Sequence, residues 1–194
     1  NYRIIGKQVS EDGHFRKMKT NGDGNCGYHS MLNGMIETYY ILGPKYNDNL
    51  TRFMDGIKDK FNIEPLELIR HARKKGEIKI PRKVINYFRE FMLDAVDTDG
   101  KKILNDENDP DNAIRNRIKG GINYNDEIDA ENWLSTDEFD HIRKTFDLNI
   151  YLKITNRDGT PQNPGNHYYQ NMKYYTEKVS EAEGDILAES DILD

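Results

Sequence analysis

The chain has 194 residues, 36% of them hydrophobic and 32% charged, with a formal net charge of −6. That size and composition suit one soluble globular domain whose core is large enough to hold a precise site. No apolar run reaches membrane-spanning length, Asn1–Ser10 lacks the apolar stretch of a secretory signal, and no concentrated basic stripe occurs, which argues against membrane and nucleic-acid partners. Thr176–Asp194 carries seven acidic side chains against Lys178 alone and so accounts for the whole net charge. We therefore expect a domain over residues 1–175 and an acidic tail or docking segment over 176–194. The low apolar content of the tail favours solvation, although Ile186, Leu187, Ile192 and Leu193 suit a short docking helix. The lack of an initiator Met fits a piece of a longer protein.

In chain order, residues 1–20 are polar apart from Tyr2–Ile5. Asn21-Gly-Asp-Gly-Asn-Cys26 concentrates residues that interrupt helices and reads as a tight loop. Beyond it, Tyr28, Met31, Leu32, Met35, Ile36 and Tyr39 recur every three or four positions, the mark of a buried helical face, until Gly43-Pro44 ends the run. A second helix is expected over Leu50–Phe61 and a third from Pro65 to Gly76. A fourth follows Pro81, with Val84, Ile85, Phe88, Phe91, Met92 and Ala95 on one side. Asp97–Asp129 reads as loops around one short helix, Ala113–Lys119, stopped by Gly120-Gly121. Ser135 or Thr136 caps another helix that runs to Phe146, with Asp137 and Glu138 in its first turn. Leu148–Ile154 alternates as a half-buried strand. Asn156–Gly159 and Asn163–Asn166 are expected turns, and His167–Met172 a final aromatic strand. Helices followed by strands predict an α+β fold, with a small β-sheet packed between helical layers.

Cys26 is the only cysteine, so no intramolecular disulfide forms, which fits a reducing, intracellular compartment. A thiol attacks a carbonyl as the thiolate, and a helix start offers partial positive charge and unpaired N–H groups to such an anion. Cys26 stands where a glycine-rich loop becomes a helix. The N–H groups of Gly24, Asn25 and Cys26 are free to converge on an oxyanion. The same features also fit inert packing and an ordinary turn. A phosphate cradle over Asn21–Asn25 is a further reading, although the Gly-Lys-Ser/Thr ending of a P-loop is absent.

Gly22-Asp-Gly-Asn-Cys26, with Tyr28 two positions on, resembles the nucleophile motif of the ovarian-tumour (OTU) cysteine proteases. His167-Tyr168 resembles the second block of that family, a strand that delivers a His followed by an aromatic. Trp133, the helix to Phe146 and the strand Leu148–Ile154 match the intervening pattern, so the resemblance spans roughly Lys19–Met172. The Cys-to-His separation also suits papain-like proteases, but their local cysteine signature is missing.

The resemblance implies a papain-like OTU fold and a cysteine-type deubiquitinating peptidase. Its partners are then ubiquitin, polyubiquitin chains or a ubiquitin-like modifier. It implies Cys26 as nucleophile, His167 as general base, and Asp23 as the residue shaping an oxyanion loop of Gly24 and Asn25. It calls for neither cofactor nor metal. One departure stands out: the position two after the His, usually Asp or Asn, is Tyr169. The third member is therefore open among Asn166, Asp12 and Glu11, and a Cys–His dyad is an alternative. A catalytically weak, ubiquitin-binding OTU-like module is the rival reading.

The other histidines are expected elsewhere: His14 exposed, His29 packed with its side chain directed away from the loop, His71 at the end of a basic helix, and His141 on the polar side of its helix. Trp133, Tyr168 and Tyr169 are candidate walls for a channel that admits the modifier tail. Abundant Asn, Lys, Ile, Asp and Tyr suggest an AT-rich genome and an effector acting in a host cytoplasm.

Overall fold

Apolar residues at helical spacing must find a common interior, and four of the helices do so around one aromatic cluster. The computed structural model describes residues 19–20, 23–122, 128–148, 150–155 and 161–169. The helices are α1 (Cys26–Leu42), α2 (Asp48–Phe61), α3 (Pro65–Lys75), α4 (Arg82–Asp94), α5 (Ala113–Gly120) and α6 (Thr136–Phe146), with a single 3₁₀ turn at Ala130–Asn132. The strands are β1 (Lys19–Thr20), β2 (Glu77–Ile78), β3 (Ile150–Thr155) and β4 (Pro161–Tyr169). The described residues are thus mostly helical with a few short strands, a content compatible with α+β.

Helix boundaries follow local chemistry. Asn47 caps α2, its side chain accepting from the Leu50 N–H at 2.9 Å. Pro65 opens α3, and Gly76 closes it in the left-handed region at φ 71°. Ser135 begins α6 with a capping box in which Glu138 reaches back to the Ser135 N–H at 3.0 Å.

Phe53 on α2 is the hub of the core. Its ring stacks on Tyr87 at 5.2 Å and meets Phe88, Phe91 and Phe146 within 5.7 Å. Tyr28 of α1 joins the same cluster edge-on to Phe88 at 5.4 Å. Helices α1, α2, α4 and α6 are therefore locked together by rings, and the position of the α1 N-terminus is inherited from that packing.

The strands depart from expectation. They form two separate two-stranded ladders among the described residues, instead of one small sheet between helical layers. β1 pairs in parallel with β2, Lys19 opposite Glu77 and Thr20 opposite Ile78. Two residues a side leave no periodicity to read in a sequence. β3 and β4 are antiparallel, with Leu152 opposite His167 and Lys153 opposite Asn166. Asn163–Asn166, expected as a turn before the last strand, lies inside β4. The register slips between Lys153 and Thr155, and this irregularity absorbs the Pro-Gly pair, since Pro164 has no N–H for a regular ladder. β4 also runs beside α6. The expected turn at 156–159, residues 170–172 of the expected final strand and the acidic tail lie outside the described residues. No described helix is long and apolar enough to cross a membrane.

Replacing Phe53 by Ala removes the ring on which four others pack. The expected loss is about 3–5 kcal/mol of unfolding free energy, checked by the urea midpoint against wild type at unchanged slope.

Candidate active site

The loop before α1 is held from several sides at once. Asp23 accepts the Asn25 N–H on Oδ1 at 2.9 Å, a short side-chain-to-backbone turn. Its own carbonyl accepts the Ile128 N–H at 3.2 Å. Gly24 sits at φ +84°, and a Cβ there would lie 2.8 Å from the Ile128 carbonyl oxygen and 2.9 Å from Trp133 Nε1. Only glycine fits that conformation in that space. Asn25 follows at φ −98°, ψ 14° and is buried. Cys26 is the first residue of α1 and is exposed.

The Asn25 side chain makes no capping hydrogen bond to α1, and the first turn of the helix has no acidic residue. The positive end of the helix dipole is therefore not quenched by its own first turn, right beside the sulfur. Asn25 occupies the N-cap position, yet its Oδ1 accepts from Arg89 instead, at 3.2 Å from Nε and 2.9 Å from Nη2. Arg89 projects from α4 and is wholly buried. It also donates to the carbonyls of Arg117 and Ile118 at 3.1 Å each and of Asn132 at 3.0 Å, and its guanidinium stands 4.0 Å from the centre of the Tyr28 ring. Burial lowers its pKa from the usual guanidinium value, opposed by Tyr28, Glu138 and Asp23. Gly121 makes room for it, because a Cβ there would lie 2.1 Å from Arg89 Cζ.

A second wall stands over the loop. Trp133 donates its Nε1–H to the Ile128 carbonyl at 3.0 Å and remains 48% exposed. Leu134 abuts Gly27, whose added Cβ would lie 3.0 Å from Leu134 Cβ. The pair Trp133-Leu134 thus sits against the two glycines that flank Asn25-Cys26. Beneath them, buried Glu138 accepts from Arg117 Nε at 2.6 Å, tying the start of α6 to α5. That bond is the main cause of an Arg117 pKa above the usual value.

The histidines divide clearly. His29 is buried, and its ring turns back toward the loop, as helical side chains lean toward the N-terminus. That corrects the expected direction, although the expected packing holds. Its Nδ1 accepts the Ile80 N–H at 3.3 Å, which leaves the proton on Nε2, 3.2 Å from Asp23 Oδ2. Burial lowers its pKa, and the hydrogen bond and charge of Asp23 oppose this. Both nitrogens are engaged, so neither is free to take a thiol proton. His141 is also buried, contrary to the expected polar side, with Nε2 donating to the Met92 carbonyl at 3.0 Å. Burial lowers its pKa too. His71 lies within α3. His167 and Asn166 lie at successive register positions of β4, and Tyr168 and Tyr169 follow on the same strand. His14, Glu11 and Asp12 lie outside the described residues.

Arg89 was not singled out in the sequence, and the parts that His29 plays beneath the loop and Gly121 plays beside Arg89 were not legible there either. An Arg inside the apolar repeat of α4 was the one available signal. No group of three or more His, Cys, Asp or Glu that could hold a metal ion occurs among the described residues. No protein-family model, curated protein or solved structure matches this chain.

Two predictions follow from this geometry. Gly24→Ala forces a side chain into the left-handed region and against Trp133, at a cost of about 1–3 kcal/mol; a lower thermal midpoint and a shifted Trp133 fluorescence maximum are the expected readouts. His29 and His141 fold as neutral rings with depressed pKa values, so below about 6.5 the unfolded chain takes up protons first. Their contribution is complete above that value and is lost as pH falls toward the folded-state values. Unfolding free energy is therefore expected to drop from pH 7 to 5, and the drop is expected to be shallower in His29→Gln.

Proposed function

We propose that the protein is a thiol-dependent hydrolase of the OTU type, with a papain-like arrangement, that removes ubiquitin or a ubiquitin-like modifier from lysine. One observation carries the reading: the only cysteine is exposed, as the first residue of an uncapped helix, directly after a loop held by Asp23, Arg89 and Trp133. Inert packing does not call for an exposed sulfur on so constrained a turn. The motif around Cys26 and its order relative to Trp133 and His167 support the same reading.

In the proposed reaction the Cys26 sulfur attacks the carbonyl joining the modifier C-terminus to the lysine nitrogen. The C–S bond forms as the carbonyl π electrons move to oxygen. The Asn25 N–H is committed to Asp23, so N–H groups of Cys26 and the first turn of α1 receive that oxyanion in place of the expected Asn25 donor. His167 takes the thiol proton and delivers it to the leaving amine as the C–N bond breaks. Water then attacks the thioester, with His167 accepting its proton, and free thiol and modifier carboxylate result. Asp23 shapes the loop through the Asn25 N–H and is occupied by His29. The resemblance points to His167 as base, and His29 and His141 are both committed to hydrogen bonds. Asn166 stands as a candidate orienting residue beside it.

The Tyr169 departure favours a second reading, a modifier-binding domain of low turnover. Both readings are tested with a ubiquitin carrying a cysteine-reactive C-terminus and with linkage-defined diubiquitins. A covalent adduct on Cys26 and turnover by wild type are expected, with both abolished in Cys26→Ala at an unchanged thermal midpoint. Binding without adduct would establish the second reading.

A further inference from the structure

Asn is among the best N-cap residues because its short side chain turns back to accept an N–H of the first helical turn. Asn25 occupies that position on α1 and does not perform that role. Its Oδ1 takes two bonds from Arg89. Among the described residues the hydrogen-bond acceptors of Arg89 are neutral, namely Asn25 and the carbonyls of Arg117, Ile118 and Asn132, while the Glu138 and Asp23 carboxylates act on it through their charge. Burying a guanidinium with no carboxylate hydrogen-bonded to it is costly, and an apolar side chain of similar volume commonly serves a core at least as well. Its rationale lies in what it holds: the end of α5, Asn132 and the residue joined to Cys26.

We propose that Arg89 is a positioning residue that keeps Asn25 from capping α1, so that the first-turn N–H groups stay open to an oxyanion formed at Cys26. The inference rests on the hydrolase reading above. With Arg89 in place, Oδ1 is drawn into the interior and the Asn25 backbone N–H is taken by Asp23. Without it, the Asn25 backbone is released from ψ 14° to swing to the extended conformation of an ordinary capping residue. Its Oδ1 then accepts from Gly27 or Tyr28, the second and third residues of α1, and the helix end is quenched where charge develops.

The test compares wild type, Arg89→Met, Arg89→Lys and the double variant Arg89→Met/Asn25→Ala. Hydrolysis of a ubiquitin C-terminal amide reporter gives kcat and KM, amide hydrogen exchange reads the Gly27 and Tyr28 N–H groups, and thermal midpoints monitor folding. Arg89→Met is expected to lose kcat on the order of 10²-fold with KM nearly unchanged, and its Gly27 or Tyr28 amide gains protection. Removing the Asn25 side chain in that background is expected to restore part of kcat, which a purely structural defect would not do. Arg89→Lys keeps the charge on a single donor nitrogen and should fall between. If Arg89→Met does not fold, the Lys variant carries the same comparison with Asn25→Ala. Unchanged kcat in a folded Arg89 variant, or no recovery in the double variant, overturns the proposal. Should wild type show no hydrolysis, the hydrolase reading fails alone. The amide protection then still judges the capping switch, and no gain in the Arg89 variants overturns it.

Discussion

Arg89 is a cation placed in the interior beside the face of Tyr28, at the meeting point of α1, α4, α5 and the turn before Trp133. A guanidinium gives up much hydration when buried, so each donor must find an acceptor in a fixed direction. Those acceptors come from segments far apart in sequence: Asn25, the end of α5, and Asn132. One side chain thereby dictates where three chain segments end relative to each other. Gly121 has no side chain for the same reason, since any would occupy the guanidinium's place. The electrostatics of Tyr28 follow as well. Burial drives its hydroxyl pKa well above the ordinary value, with Arg89 opposing, so the ring presents a neutral face to the cation.

Asp23, Gly24 and Asn25 before Cys26 are held by converging constraints that differ in kind. The Asp23 carboxylate acts through hydrogen bonds to the Asn25 N–H and to His29, whose far nitrogen is tied to Ile80 just after β2. Gly24 acts through sterics, lodged under Ile128 and Trp133. Asn25 acts through Arg89. The aromatic core around Phe53 anchors α1 and α4 together, which gives Arg89 and Asn25 a constant separation. Losing any one element leaves others in place, but each governs a different coordinate of the turn. Preorganisation of this sort suits a reaction whose charge appears at one point in space, because no reorganisation is needed when it develops.

Much of the helical scaffold was legible before any coordinates. Long apolar repeats such as Val84–Met92, the Pro65 and Ser135 starts and the Gly76 stop are local signals, and α4, α3 and α6 formed where they pointed. The short ladder β1–β2 was not legible, since two residues carry no period. The Asn163–Asn166 stretch read as a turn because Pro and Gly weigh heavily in local statistics, while β3 accommodated them through a register slip. His141 was assigned to a polar face by residue type, yet one backbone carbonyl, that of Met92, makes the interior acceptable to it.

What the sequence by itself determined is the setting of the one thiol: a cysteine after Gly-Asp-Gly-Asn at a helix start, recognisable because glycine, caps and helical periodicity act over a few neighbouring residues. Only the tertiary structure decided how that loop is held. The partners of Asn25 and Asp23 that do so, Arg89 and His29, are chosen by hydrogen-bond geometry between segments as much as 64 residues apart. Such choices depend on where the helices pack, and no local pattern encodes them.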